Sequence, residues 1–187
     1  MVATPVDFSP QEYLDLERNS NVRHEYRRGL VYAMAGGSDD HDEISLNLIE
    51  LMRQSLRDRD CSVRSGNVKV NYINDFYYYP DAFVTCDSRD RGDRYIKRYP
   101  KLIAEVLSPS TAAFDCGVKF ADYQNIASFE EYILIDQEQI QVECRRRVNA
   151  VWKTTIYRAG DIVQLTSIGL EFAIAELYRG VSWVEER

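Results

Sequence analysis

Two apolar runs in the middle of the chain, Leu102 to Ser108 and Glu131 to Asp136, each have the length of a strand, and the segment between them, Ala112 to about Asn125, fits a helix. Parallel strands cannot be joined by a tight turn; they need a crossover of a dozen or more residues, and their sheet is covered on both faces. A strand, helix, strand unit with parallel strands is therefore expected here, with a right-handed crossover. It directs the chain toward an α/β fold.

Inside this region lie two violations of strand chemistry. YYYPDAFVT carries Asp81 and KLIAEVLSPST carries Glu105, each in an otherwise apolar run. An unpaired ionised carboxylate in a low-dielectric interior costs several kcal/mol or neutralises by shifting its pKa. Two such acids ask for one cause, and a cation held between adjacent strands supplies it. Mg²⁺ takes oxygen ligands and commonly uses one or two carboxylates, leaving other positions to water and phosphate oxygens. Mn²⁺ would serve as well, and the Val106 carbonyl at the strand end is a further candidate ligand.

The helix after Glu105 offers a third group. Asp115, Lys119 and Tyr123 fall at i, i+4 and i+8 and share one face, offset from an expected core stripe of Phe114, Val118 and Ala121. Lys119 could position a water or stabilise developing charge on a phosphoryl group. The bland alternative is a solvated lysine in a surface ion pair with Asp115.

Length and composition permit this reading. With 187 residues, 45% hydrophobic and 28% charged, the chain can bury one core, and a single domain over 1–187 is expected. The formal net charge of −7 argues against strong non-specific affinity for nucleic acid, though a local basic rim can contact phosphodiester while the remaining surface is acidic. Such a rim is offered by CDSRDRGDRYIKRYPK, an expected exposed connection carrying Arg89, Arg91, Arg94, Lys97, Arg98 and Lys101. Thirteen tyrosines can serve as core residues with polar tips or as stacking surfaces for bases. Cys61, Cys86, Cys116 and Cys144 form no C-x-x-C pair and read as reduced thiols. No secretory or membrane-spanning run is visible, so a cytoplasmic location without membrane association is expected.

Elsewhere, Ser9-Pro10-Gln11-Glu12 has the form of a capping box, opening a helix to about Arg18. Arg28-Gly29 suggests a hairpin of Arg23 to Arg27 with Leu30 to Ala35, with Glu25 in its first strand. Ser38, Asp39 and Asp40 are N-cap candidates for a helix of about His41 to Arg57, with His41 in its first turn. Strands are expected over Ser62 to Tyr72, broken near Ser65-Gly66, and over Phe76 to Thr85. Gln139 to Arg147, Val151 to Arg158 and Asp161 to Leu165 read as an antiparallel meander, and Leu170 to Tyr178 as a last short helix or cap.

The order Pro80-Asp81, Glu105-Val106-Leu107-Ser108-Pro109-Ser110-Thr111, Asp115, Lys119, Tyr123 and Glu131-Tyr132 resembles the Uma-two family, grouped with restriction endonucleases in the PD-(D/E)xK nuclease superfamily. Glu25 and His41 also fit its pattern. The likeness runs from about Pro10 to Tyr178. It implies a restriction-endonuclease-like α/β core, a mixed central sheet flanked by helices, and a Mg²⁺-dependent DNA-cleaving site built on Asp81 and Glu105 with Lys119, Glu25 and His41. The chain departs from the simplest signature at Leu107, where lysine is expected; the resemblance places that ammonium on the next helix. Cutting both strands of DNA with one site per chain favours a homodimer. A non-catalytic nuclease-fold protein that binds nucleic acid is the competing reading, and carboxylate-pair glycoside hydrolysis ranks last because it leaves Lys119 without a role.

Overall fold

The structure is a computed structural model that describes residues 7–185; the ends of the expected 1–187 domain, residues 1–6 and 186–187, lie outside the described residues. The first helix, α1 (Pro10–Asn19), starts on the expected capping box, with the Ser9 N–H donating to Glu12 Oε2 at 2.8 Å and the Glu12 N–H to Ser9 Oγ at 3.2 Å. The hairpin β1 (His24–Arg27) and β2 (Leu30–Ala33) turns through Arg28 and Gly29, whose φ values of 44° and 89° are left-handed. Next come α2 (Asp39–Ser55), capped by Ser38, then β3 (Ser62–Ser65), β4 (Lys69–Tyr72), β5 (Phe76–Tyr78) and β6 (Ala82–Thr85). A 3₁₀ turn (Ser88–Arg91) and β7 (Ile96–Lys97) lead into β8 (Pro100–Leu107). The chain continues through α3 (Ala112–Phe114), a π-helical turn (Asp115–Lys119) and α4 (Phe120–Tyr123) to β9 (Glu131–Asp136). It closes with β10 (Gln141–Val148), β11 (Val151–Arg158), β12 (Ile162–Leu165), β13 (Leu170–Ala173), α5 (Ile174–Leu177) and α6 (Ser182–Glu185).

Two sheets organise these strands, one ordered β2-β1-β5-β4-β7 and the other β11-β10-β9-β8-β6-β3, with β12-β13 as a separate ribbon. The expected parallel pair is β8 with β9, with Glu105 opposite Leu134. Phe76 to Thr85 is not one strand. Proline has no N–H for a ladder, and at Tyr79-Pro80-Asp81 the chain leaves the five-stranded sheet and enters the six-stranded one. Its antiparallel partner crosses at the same level, β3 pairing with β6 and β4 with β5. A Cβ on Gly66 would lie 3.7 Å from the Pro80 carbonyl oxygen, an ordinary contact distance, so the two crossing points run side by side.

The strand β8 is buried on both faces. Leu102, Ala104 and Val106 pack with Ile44, Leu48 and Met52 of α2, while Ile103 packs with Tyr123, Phe129 and Tyr132 on the other side. Truncating a side chain as enclosed as Leu48, 1% exposed, costs about 2–5 kcal/mol. The tyrosines are core residues with polar tips. Tyr13, Tyr78, Tyr123 and Tyr132 are fully buried, and their hydroxyls donate to His24 O, Asp122 Oδ2, Glu105 Oε1 and Asp115 O.

Four local expectations are corrected. Cys61 and Cys86 are joined in a disulfide, because they sit one position beyond the cross-strand pair Ser62–Thr85; Cys116 and Cys144 are free. Of the predicted meander only β10 and β11 extend the sheet from β9. The Arg158 N–H donates to Asp161 Oδ2 at 2.7 Å where the chain turns away, and β12 pairs with β13 instead. The tail therefore contains a strand before its short helix. Finally, Val118 and Ala121 are exposed; the buried face of the helix after β8 is Asp115, Lys119, Asp122 and Tyr123.

Candidate active site

The crossing at Pro80 sets Asp81 at the entrance of β6, beside the end of β8. Asp81 Oδ2 accepts the Val106 N–H at 2.8 Å, and the Asp81 N–H donates to Glu105 Oε2 at 3.3 Å. The two strand acids predicted to act together are thus linked, Glu105 by the backbone of Asp81 and Asp81 by that of Val106, the residue after Glu105. The N-terminal turn of α2 brings His41 to the same place, with Nε2 at 3.3 Å from Asp81 Oδ2. The Val106 backbone also hydrogen-bonds the imidazole.

Lys119 closes the other side. Its Nζ lies 3.3 Å from Glu105 Oε1, 3.1 Å from Glu25 Oε1 and 3.1 Å from Asp115 Oδ1. It also faces the Tyr78 ring, 5.5 Å from the centroid. Two of these partners have a second tether. Glu25, carried by β1 of the five-stranded sheet, accepts the Tyr79 N–H at 2.9 Å, and Glu105 accepts the Tyr123 hydroxyl at 3.2 Å. All five side chains singled out in the sequence therefore form one connected group running from His41 through Asp81, Glu105 and Lys119 to Glu25.

Two further members were absent from the predicted set: Asp115 and Tyr123. Their signal was the i, i+4, i+8 spacing with Lys119. What misled was the assumption that the apolar side of this helix faces inward; the π turn from Asp115 to Lys119, a feature frequent at functional sites, accompanies the inversion. The Tyr132 hydroxyl donates to the Asp115 carbonyl at 3.0 Å and so holds the turn.

The electrostatics follow from burial and crowding. Burial pushes the Glu105 carboxyl well above its usual range; Lys119 opposes this, and Asp115, Asp81 and Glu25 add to it. Glu25 is raised for the same first reason, with Lys119 and the Tyr79 N–H pulling the other way. Burial alone would lower Lys119, yet Glu105, Glu25 and Asp115 hold it well above an ordinary lysine, so it stays an ammonium. The hydrogen bond to Asp81 raises His41, partly offset by burial.

Four carboxylates thus surround one ammonium and one imidazole, an acid-rich interior that suits a further cation. Asp115 Oδ1 reinforces this: it is buried and, although 3.1 Å from Lys119 Nζ, makes no hydrogen bond of acceptable geometry. Among the described residues no group of three or more His, Cys, Asp or Glu side chains is arranged to hold a metal. Mg²⁺ does not require one, since it binds through one or two carboxylates and keeps water. The donor set of Asp81, Glu105 and the Val106 carbonyl fits that requirement.

The expected basic rim is largely compensated in place. Arg89 pairs with Asp87, Arg91 with Asp60, Arg98 with Asp93 and Lys101 with Glu130. Lys97 is buried against the carbonyls of Asp90 and Asp93. The connection is a folded piece around buried Asp90, which accepts the Thr85 hydroxyl at 2.7 Å and the Arg98 N–H at 2.8 Å.

This mixed-sheet α/β architecture is that of a nuclease-fold protein. It superposes with TM-score 0.78 on a crystal structure described as a putative nuclease belonging to DUF820 from Anabaena variabilis, 17% identical, covering 91% of this chain and 97% of that one. Residues 10–175 match the family Uma2, described as "Putative restriction endonuclease", and the chain belongs to that family. Two relatives from Synechocystis sp. are also similar. "Uncharacterized protein slr1290" is 38% identical over 94% of this chain and 93% of its own length, and "Uncharacterized protein sll1609" is 32% identical over 79% and 85%.

Proposed function

We propose that this protein is an endodeoxyribonuclease that hydrolyses DNA phosphodiester bonds with Mg²⁺ or Mn²⁺, using Asp81, Glu105 and Lys119 with Glu25 and His41 beside them. The observation that carries the reading is the buried lysine set against Glu105, 3.3 Å away, at the junction where Asp81 enters the sheet. Asp81, Glu105 and the Val106 carbonyl would hold the ion, which when bound polarises a phosphoryl oxygen and acidifies a coordinated water.

The chain's own groups divide the remaining work. Lys119 brings a permanent positive charge to the place where a phosphoryl group gains negative charge. Glu25 and Asp115 fix the ammonium from two further sides, and Tyr123 fixes the Glu105 carboxyl. His41 holds Asp81 in the rotamer that faces Val106. A second copy of the chain would supply the cut on the opposite strand, so a homodimer is part of the proposal.

A second reading, a nuclease-fold protein that binds nucleic acid without cutting it, draws on the enclosure of Lys119, whose side chain is 7% exposed and surrounded by its own acids. Plasmid and short-duplex cleavage with Mg²⁺ or Mn²⁺ separates the two. Wild type should cut, while Asp81→Asn, Glu105→Gln and Lys119→Ala should each lose at least about a hundredfold in rate. Equal activity in all four proteins overturns the assignment, and metal-independent DNA binding without cleavage favours the second reading.

A further inference from the structure

One cation close to the site is withdrawn from water without a direct ion pair among the described residues. Lys69, on β4, is 8% exposed, and among the described residues its Nζ has no carboxylate or carbonyl partner; it lies over the Tyr79 ring, 4.9 Å from the centroid. Its pKa is lowered by burial, with nearby Arg18 adding to the effect and Glu17 and Asp93 opposing it. Glu17, the larger of the two opposing influences, acts on it without an ion-pair contact, its oxygens taken by other donors. Glu17 takes the Tyr79 hydroxyl at 2.7 Å on Oε1, and the His24 N–H and ring nitrogen at 3.1 and 3.2 Å on Oε2.

A second cation shares the same ring. The Arg23 guanidinium stands 6.0 Å from the Tyr79 centroid, makes no ion pair among the described residues, and is fixed by the Gly66 carbonyl and by Asn67 Oδ1 at 2.9 Å. It is exposed. A Cβ on Gly66 would lie 4.0 Å from that guanidinium and 4.0 Å from Asp81 Cα, so Arg23 stands within twice that distance of Asp81. That places Arg23 within reach of a phosphate neighbouring the one at Asp81 on the same DNA strand. Tyr79 is also the residue whose N–H holds Glu25, so the two cations rest on the segment that leads directly into Pro80-Asp81.

We propose that Arg23 and Lys69, gathered on Tyr79, form a phosphate-binding subsite that grips the DNA backbone next to the bond cut at Asp81 and Glu105, an inference that rests on the nuclease reading above. Two like charges at one ring, one desolvated and neither in an ion pair among the described residues, favour an anion bound at that ring. Arg23 supplies a planar donor pair oriented by Gly66 and Asn67, and Lys69 supplies a point charge from below. The subsite reads no bases; it sets the register of the strand.

The test is equilibrium binding of a fluorescein-labelled short duplex in EDTA, across a salt series. Each lost phosphate contact lowers the slope of log affinity against log salt by about 0.9. Arg23→Gln and Lys69→Met should each lower it by about that amount and weaken binding by at least about tenfold, and the double variant by about twice as much in slope. Arg23→Lys and Lys69→Arg keep the charge and should keep the slope, which separates a phosphate contact from a packing role. Should Lys69→Met fail to fold, Arg23→Gln and the charge-keeping pair carry the test. An unchanged slope in the double variant, with wild type still cutting plasmid, overturns this inference alone. A wild type that neither cuts nor binds with salt dependence overturns the nuclease reading and this inference with it.

Discussion

Replacing Lys119 by methionine keeps the volume of the side chain and deletes its charge. The perturbation leaves Glu105, Glu25 and Asp115, all within 3.3 Å of the former ammonium, facing one another in a pocket where the lysine side chain was 7% exposed. Breaking a buried ion pair from one side costs about 3–5 kcal/mol. With a urea slope of about 2 kcal/mol per molar, the unfolding midpoint should fall by roughly 2 M at neutral pH. The loss must also depend on pH in a fixed direction. Glu105 and Glu25 have folded-state pKa values above their unfolded ones, so the folded state binds more protons. The stability this contributes is fully present below the unfolded carboxyl range, at about pH 4, and is lost as pH rises through the raised folded values. Without Lys119 those values rise further, and the variant should recover part of its midpoint as pH falls from about 8 to about 5. Urea unfolding in EDTA followed by circular dichroism measures both effects. A loss below about 1 kcal/mol, or one equal at both pH values, would refute the charge-based account and leave only packing.

Two other outcomes can be measured independently. His41 is raised by its hydrogen bond to Asp81, so its contribution is complete below the unfolded histidine range and disappears as pH rises through the folded value; thermal melts from about pH 5 to about pH 9 should show this decline in wild type and a flatter profile in His41→Gln. The disulfide between Cys61 and Cys86 spans 25 residues, which predicts a loss of about 3 kcal/mol for the Cys61→Ser, Cys86→Ser double variant or for wild type in reductant, read as a lower melting temperature.

The strand, helix, strand centre and the pairing of Asp81 with Glu105 were legible because acids inside apolar runs are visible to simple pattern reading. β9 appears with the expected bounds, and β8 begins two residues before the expected Leu102. Other features were hidden for physical reasons. Phe76 to Thr85 is apolar apart from Asp81 and Thr85, so periodicity could not show that Pro80 divides it between two sheets. The helix after β8 turns its charged side inward because three acids and Tyr78 there receive Lys119, a tertiary demand that overrides the local hydrophobic pattern. Cys61 and Cys86 gave no signal as a pair, since their proximity comes from the β3–β6 register rather than from spacing. Arg23 and Lys69 stand far apart in sequence, and only the fold brings both to the Tyr79 ring.

The crossing at Pro80 has one further effect. Glu25 comes from one sheet and Glu105 from the other, while Lys119 comes from the connector that follows β8, so its pairs with these two acids join pieces that meet only when the layers have docked. A chain still emerging or half assembled has the same residues but no common pocket for them. Under the nuclease reading proposed above, assembly of the fold is therefore itself the step that completes the cutting site.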